Sequence, residues 1–125
     1  DYGSTYVEIN LTAQHLYFYK GGSLVVQSDF VSGNESKGWS TPAGAYPLTY
    51  KQRNATLKGE NYSTPVSYWM PFNGGIGLHD AYWRSSFGGT IYKTNGSHGC
   101  INLPPAVAKT IYENISAGTA VLCYH

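Results

Sequence analysis

The sequence predicts a single, mainly β domain with one amphipathic helix near its C-terminal end. Apolar and polar residues alternate through the first third of the chain, and Gly (15) and Tyr (12) are frequent while only 12% of residues are charged. A helical spacing of apolar residues follows residue 104. The 125 residues suffice for one hydrophobic core but not for two, so we expect a single domain over residues 1–125.

Three strands are predicted in the N-terminal third. Residues 6–11 and 16–20 carry aromatic and β-branched side chains at the alternating spacing of a strand. Gly21-Gly22 separates the second segment from the apolar run at 23–31 and is a signal for a two-residue hairpin turn. Residues 33–44 are rich in Asn, Ser and Gly, and this composition predicts a loop.

The middle of the chain is predicted to be less regular. Residues 45–50 suit a short edge strand, because Pro47 cannot donate a backbone hydrogen bond. Residues 52–65 are polar and predict a long loop, which is either a lid over a site or an ordinary surface loop. A strand over residues 66–70 and another that ends at His79 follow, and the Gly- and Ser-rich residues 80–99 are predicted to be irregular.

The C-terminal part contains the predicted helix. Val107, Ile111 and Ile115 recur at helical spacing, and the preceding Pro residues are tolerated in a first helical turn. Gly118 is a signal for the end of this segment, and residues 119–124 predict a closing strand.

Charge and hydropathy exclude two classes of function. Eight Lys and Arg residues face seven Asp and Glu residues, and no run of like charges occurs, so nucleic-acid binding through a basic face is not expected. The apolar stretches are far shorter than the roughly 18 residues of a membrane-spanning helix, and no membrane span is expected. Because the chain begins at Asp1, we expect any signal or anchor to have been removed or to lie outside this sequence.

The two cysteines lie in different surroundings. Cys100 belongs to a Ser-His-Gly-Cys run, whereas Cys123 lies in the apolar segment 120–124 and is predicted to be a small buried hydrophobic residue. A disulfide between them is the alternative, although two cysteines do not make a disulfide framework.

The densest cluster of reactive residue types surrounds Cys100. A thiol near neutral pH needs a base or a cationic neighbour to form a thiolate, and adjacent glycines leave backbone N–H groups free for a developing oxyanion. His79 is the best candidate base, because it comes from a separate strand. His98 is two positions from the cysteine on the same short segment and is expected to point elsewhere.

Less specific interpretations remain open for these residues. Single cysteines and histidines are more often structural than catalytic, and it is their conjunction with Gly and Ser that favours a catalytic site. A metal site is a further alternative, although the sequence lacks a close pair of ligands with the usual zinc spacing. Its four candidate ligands are His79, Asp80, His98 and Cys100. His15 and His125 are predicted to be solvated, and no cofactor is expected.

The pattern of His79-Asp80 followed by Ser97-His98-Gly99-Cys100-Ile101-Asn102 resembles the signature of the L,D-transpeptidase catalytic domain, the YkuD family. The resemblance extends over nearly the whole chain. It includes segments 7–14, 31–33, 41–44, 68–71 and 118–121. The stretch at 55–59 and the spacing look most like the enzymes of Gram-positive Firmicutes.

This resemblance implies a β-sandwich with one main helix after the cysteine, in an extracytoplasmic protein at the cell wall or the outer face of the membrane of a bacterium. It also implies a reaction on peptidoglycan tetrapeptide stems. The Cys100 thiolate attacks the carbonyl between the third residue and the terminal D-Ala, and a side-chain amine of another stem takes the resulting thioester. Carbapenem β-lactams are then the expected inhibitors.

The resemblance also implies roles for individual residues. Cys100 is the nucleophile and His79 the base, while the backbone carbonyl of Ser97, or in some relatives that of the residue corresponding to Asp80, holds the imidazole. The backbone N–H groups of Gly99 and Cys100 are expected to form the oxyanion hole. His98 is expected to support the site.

A second set of residues is expected to line the substrate. Trp83 matches an aromatic lining position, and Asp80 and Asn102 are placed with it in the substrate-binding part of the site.

Other functions compete with this interpretation. A sortase also forms a thioester but needs an Arg after the cysteine, whereas Arg53 and Arg84 both precede Cys100. Papain-like and NlpC/P60-type peptidases place the cysteine before the histidine, which is the opposite order. An L,D-carboxypeptidase that uses water as acceptor, and a wall-binding module whose aromatic residues stack on sugars, are the remaining alternatives.

Overall fold

The computed structural model describes residues 3–59 and 62–125 and contains two β-sheets. The first sheet has the strand order β3-β2-β1-β9-β4: β1 Tyr6–Asn10, β2 His15–Lys20, β3 Ser23–Asp29, β4 Gly44–Pro47 and β9 Ala120–Tyr124. The second has the order β5-β6-β7-β8: β5 Gln52–Gly59, β6 Tyr62–Asn73, β7 Ile76–Asp80 and β8 Ile101–Leu103. Two helices, α1 Ile91–Asn95 and α2 Pro105–Asn114, and a 3₁₀ turn at Glu35–Lys37 complete the described elements. The predicted mainly β fold is confirmed.

The first sheet joins the two ends of the chain. β1 pairs antiparallel with β2, and the turn between β2 and β3 uses positive φ angles at Gly21 (60°) and Gly22 (83°), as the predicted hairpin requires. β9 runs parallel to β1 and lies between β1 and β4. The predicted edge strand is confirmed as β4, with Pro47 as its last residue.

The second sheet corrects the prediction for residues 52–65. This segment forms β5 and the start of β6, paired antiparallel from Gln52↔Trp69 to Gly59↔Tyr62, and is not a structureless loop. Its side chains are mostly polar because one face is solvated, whereas Ala55 and Val66 on the other face pack into a small apolar cluster. Cross-strand pairing of this kind leaves little trace in composition. Residues 60–61, which are part of the segment predicted as a loop, lie outside the described residues.

One hydrophobic core collects side chains from both sheets. The first sheet contributes Val7, Ile9, Leu16 and Phe18, and the second contributes Met70, Leu78, Ile101 and Leu103. Helix α2 packs on the core through Ala108 and Ile111, which are fully buried. The helix that the apolar spacing predicted is therefore confirmed.

Short helix α1 was not predicted. It falls within residues 80–99, which the composition assigned to irregular chain, and spans five residues with no buried side chain. No apolar periodicity therefore marks it in the sequence. Among the described residues, no helix is long and apolar enough to cross a membrane.

Candidate active site

Strand register brings the predicted catalytic pair to one face of the second sheet. β7 and β8 run parallel, with Leu78 opposite Ile101 and His79 opposite Asn102. Because side chains alternate between faces, His79, Asn102 and Cys100, which directly precedes β8, point to the same side. Residues that are distant in sequence thus meet through a short parallel ladder.

These side chains line a cavity of about 220 Å³. Six of the eight predicted site residues line it: His79, Trp83, Ser97, His98, Cys100 and Asn102. The other lining residues are Leu57, Tyr62, Thr64, Arg84 and Gly96. Asp80 and Gly99 are buried beside the cavity and do not line it.

The imidazole of His79 is oriented by a backbone carbonyl. Its Nδ1 lies 2.7 Å from the carbonyl oxygen of Asp80, so Nδ1–H donates and Nε2 keeps a lone pair for the cavity. The Ser97 carbonyl, which the resemblance named first, instead accepts from the Asn34 N–H at 2.9 Å. The structure therefore assigns the orienting carbonyl to Asp80.

The carboxylate of Asp80 fixes the strand end that carries this carbonyl. It is buried and accepts hydrogen bonds from the backbone N–H groups of Ser67 (2.9 Å) and Tyr68 (2.8 Å). The β6–β7 ladder ends at the Trp69–His79 pair, so the carboxylate continues the connection where strand pairing stops. Asp80 thus acts on His79 through its backbone carbonyl. Its side chain does not line the cavity, although the sequence analysis placed it in the substrate-binding part of the site.

Burial favours the neutral forms of both His79 and Cys100. Burial lowers the pKa of His79, with hydrogen bonding and charge from Asp80 opposing this and the positive charge of Arg84 adding to it. Burial also raises the pKa of the Cys100 thiol to about 11, although a backbone hydrogen bond with Gly77 works in the opposite direction. A thiolate is therefore not favoured in the resting site, and the thiol donates to the Gly75 carbonyl at 3.4 Å.

Backbone bridges on both sides of Cys100 hold its loop. Upstream, the Ser97 N–H donates to the Ser32 carbonyl at 2.9 Å, and the Ser97 carbonyl accepts from Asn34. Downstream, Asn102 and Val31 exchange two backbone hydrogen bonds of 2.8 and 3.0 Å. The segment 31–34 therefore fixes the positions of residues before and after Cys100.

One of the two backbone N–H groups that the resemblance implied as oxyanion donors is already hydrogen-bonded. The Gly99 N–H donates to the Ser97 hydroxyl at 3.1 Å and is occupied in this conformation. The N–H of Cys100 makes no hydrogen bond within residues 3–59 and 62–125. Of the two predicted donors, Cys100 N–H is the one available to an oxyanion.

A buried threonine sets the direction of that N–H. Thr41 accepts from the Gly33 N–H at 3.0 Å, and its hydroxyl donates to the Gly99 carbonyl at 2.6 Å. The Gly99 carbonyl and the Cys100 N–H belong to one planar peptide unit and point in opposite directions. Holding the carbonyl at Thr41 therefore turns the N–H away from Thr41. Gly99 adopts φ +132°, a conformation that favours glycine.

His98 lies between two aromatic rings. Its imidazole stacks on Trp39 at 4.3 Å and on Tyr62 at 4.2 Å between ring centroids, and Lys37 lies over the outer side of Trp39. Tyr62 belongs to the β5–β6 hairpin, so this stack attaches the hairpin to the loop that carries Cys100. This contact is consistent with the expected supporting role of His98.

The remaining sequence-based alternatives find less support. Cys100 and Cys123 are both free thiols, so the disulfide alternative is wrong, and Cys123 is buried in the core as predicted. The described residues contain no group of three or more potential metal ligands. His15 is not simply solvated, because its Nδ1 lies 2.7 Å from an Asp29 carboxylate oxygen.

Sequence reasoning did not assign Thr41, Tyr62 or Arg84 to the site. Thr41 appeared only within a family-like segment, Tyr62 lay in the supposed loop, and Arg84 was considered only as evidence against a sortase. Thr41 and Tyr62 act through partners more than 30 positions away, so no local pattern marks them.

The two-sheet fold, with a histidine from β7 and a cysteine before β8 in one cavity, defines the class of L,D-transpeptidase catalytic domains. A family model described as "YkuD: L,D-transpeptidase catalytic domain" matches residues 4–123. The chain therefore belongs to this family.

Individual relatives agree with this assignment. The chain is 27% identical to the putative L,D-transpeptidase YciB of Bacillus subtilis, over 94% of this chain and 64% of that protein. It is 43% identical to a crystal structure of Enterococcus faecium L,D-transpeptidase, with TM-score 0.92 and coverage of 97% of this chain and 50% of that one. The ertapenem-acylated catalytic domain from E. faecium is 43% identical, with TM-score 0.86 and 98% of both chains covered. This chain thus spans about half to two thirds of the longer relatives.

We expect Thr41→Val to slow acylation of Cys100 without slowing its alkylation. Acylation by p-nitrophenyl acetate develops an oxyanion, whereas displacement on iodoacetamide does not, so losing the hydroxyl that orients the Cys100 N–H should slow only the first, by about tenfold or more. Stopped-flow release of nitrophenolate and the rate of carbamidomethylation measure the two reactions. Thr41→Ser keeps the hydroxyl and is the matched control. Equal slowing of both reactions in Thr41→Val would contradict the assignment.

We expect Tyr62→Ala to increase the rate at which iodoacetamide alkylates Cys100, by several-fold. The substitution removes one ring from the His98 stack and loosens the hold of the β5–β6 hairpin over the cavity. Tyr124→Ala, an exposed position on β9, is the control. Unchanged alkylation in Tyr62→Ala would mean that the hairpin does not restrict access to the thiol.

Proposed function

We propose that this domain is a peptidoglycan L,D-transpeptidase with Cys100 as nucleophile and His79 as general base. The observation that carries the proposal is the cavity that both side chains line, with His79 Nδ1 committed to the Asp80 carbonyl and Nε2 left as the acceptor. Acyl transfer needs only a nucleophile, a base and oxyanion donors, and these groups are available here.

The first half-reaction cleaves the donor stem. The Cys100 thiol gives its proton to His79 Nε2 as its sulfur attacks the carbonyl between the third residue and the terminal D-Ala of a tetrapeptide. The Cys100 N–H donates to the oxyanion of the tetrahedral intermediate. When the C–N bond breaks, the imidazolium of His79 protonates the leaving D-Ala amine, and a thioester remains on Cys100.

The second half-reaction transfers the acyl group. A side-chain amine of another stem attacks the thioester while His79 accepts its proton. The C–S bond breaks, the proton returns to sulfur, and a cross-link between two third-position residues is released. Water in place of the amine gives the L,D-carboxypeptidase reaction with the same residues.

Because the proposed substrate is peptidoglycan, the proposal includes a location outside the cytoplasm, at the bacterial cell wall or the outer face of the membrane. The ertapenem-acylated relative supports a further expectation, that a carbapenem acylates Cys100 through its strained carbonyl.

Incubation with a defined disaccharide-tetrapeptide, followed by mass spectrometry, tests this proposal. We expect a cross-linked dimer that has lost one D-Ala. Activity should disappear in Cys100→Ala and fall about 10²–10⁴-fold in His79→Ala, because general-base help has that magnitude.

His98→Ala and Cys123→Ala are the matched controls and should lose far less activity than His79→Ala. A monomer without D-Ala would identify the carboxypeptidase reaction instead. Retained activity in folded His79→Ala would show that His79 is not the base. A carbapenem adduct that maps to Cys123 would contradict the assignment of the nucleophile.

The pH profile should separate a general-base mechanism from a preformed thiolate. The base must be neutral, and burial lowers the pKa of His79 from 6.5, so the imidazole stays active to lower pH. We expect kcat/KM to fall on the acid side only below pH 6.5. With the thiol pKa near about 11, no second rise should appear between about pH 7 and about pH 9. A rise through that interval would indicate that thiolate formation controls the rate.

A further inference from the structure

Two buried polar atoms in the cavity wall have no partner. Among the side chains of residues 3–59 and 62–125, only Arg84 Nε and Asn102 Oδ1 are buried without a hydrogen bond. Both residues line the Cys100 cavity. Buried polar atoms are satisfied in most native structures, and both exceptions belong to residues of this one cavity wall.

The guanidinium of Arg84 is largely unused. Of its five N–H donors, one from Nη1 reaches the Asn95 carbonyl at 2.9 Å. No acidic side chain pairs with it in the described part of the chain, where the ion pair present is between His15 and Asp29. A positive charge thus stands in the cavity wall without a counterion.

The backbone holds Arg84 at this position. Its N–H donates to the Ala81 carbonyl at 3.1 Å, which closes a turn directly after β7. The bond to Asn95 attaches the other end of the side chain to the end of α1. A preorganised guanidinium loses little conformational entropy when it binds a planar anion.

We propose that Arg84 binds a carboxylate of the acyl donor and thereby selects donors that carry this negative charge. The inference rests on the proposed function and names its substrate determinant. A guanidinium matches a carboxylate through two parallel hydrogen bonds, whereas a neutral carbonyl accepts them more weakly. The carboxylate accepts from guanidinium N–H groups that Arg84 does not use for Asn95, and Asn102 lines the same cavity.

A tetrapeptide donor offers two carboxylates for this role. One is the C-terminal carboxylate of D-Ala, and the other is the side-chain carboxylate that diaminopimelate carries as third residue and lysine does not. Both present the same chemistry to Arg84, and the experiment distinguishes them.

Steady-state kinetics with three donors test the proposal: the diaminopimelate tetrapeptide, its C-terminal amide, and the lysine tetrapeptide. We expect Arg84→Gln to lower kcat/KM for the first donor by about 10–100-fold, the usual range for a charged hydrogen bond. The donor that lacks the recognised carboxylate should be slower in the wild type by a similar factor and nearly insensitive to Arg84→Gln.

Arg53→Gln is the matched control. This arginine lies over the Tyr68 ring at 4.7 Å and does not line the cavity, so its replacement should leave all three donors unchanged. Arg84→Lys keeps the charge without the two-pronged geometry and should give intermediate losses, and it serves as the second variant if Arg84→Gln folds poorly.

Equal loss with all three donors in Arg84→Gln would overturn the proposal, because Arg84 would then act only as a tie to Asn95. Wild-type rates in Arg84→Gln would overturn it as well. The proposal is supported if Arg84→Gln slows only the donors that carry one particular carboxylate. If the wild type turns over none of the donors, the proposed function fails, and this inference fails with it.

Discussion

The site depends on the backbone pairing between segment 31–34 and the loop that carries Cys100. A Gly-rich loop loses roughly 1–2 kcal/mol of conformational entropy per ordered residue, and a single hydrogen bond returns only about 1 kcal/mol, so several bonds must form together. Here they flank Cys100, at Ser97 and at Asn102. Gln14, which is fully buried, braces the same segment from the first sheet by bonding to Ser32 with both ends of its amide. Gln14 therefore holds Ser32, and Ser32 in turn holds Ser97 in the loop before Cys100.

The electrostatics of the cavity favour a pair that stays neutral until a substrate arrives. Burial disfavours the imidazolium of His79 and the thiolate of Cys100 alike. The carboxylate of Asp80 accepts hydrogen bonds from the backbone of β6. Only the backbone carbonyl of Asp80 bonds to His79. The free charge in the wall is the cation of Arg84. In the proposed reaction, His79 takes the proton of the Cys100 thiol during the attack. The cation of Arg84 then faces the carboxylate of the donor.

The β5–β6 hairpin connects access to the cavity with the loop beneath it. Leu57, Tyr62 and Thr64 form part of the cavity wall, and the ring of Tyr62 rests on His98. Ala55 and Val66 of the same hairpin belong to the small apolar cluster against which Cys100 packs. The thiol is therefore shielded by side chains of a paired hairpin, and this packing is also what raises its pKa.

The sequence by itself determined the fold class, the hairpin at Gly21-Gly22, helix α2 and the candidate pair His79 and Cys100. Each of these is encoded locally, by alternation, by turn residues with positive φ, by helical spacing or by a short motif. The structure alone decided that residues 52–65 form a hairpin, that Asp80 and not Ser97 orients His79, and that the Gly99 N–H is occupied. It also showed that Thr41 bonds to the Gly99 carbonyl and that Arg84 lines the cavity. These features arise from hydrogen bonds and packing between residues far apart in the chain. The residue type at one position does not indicate which distant residue it will contact.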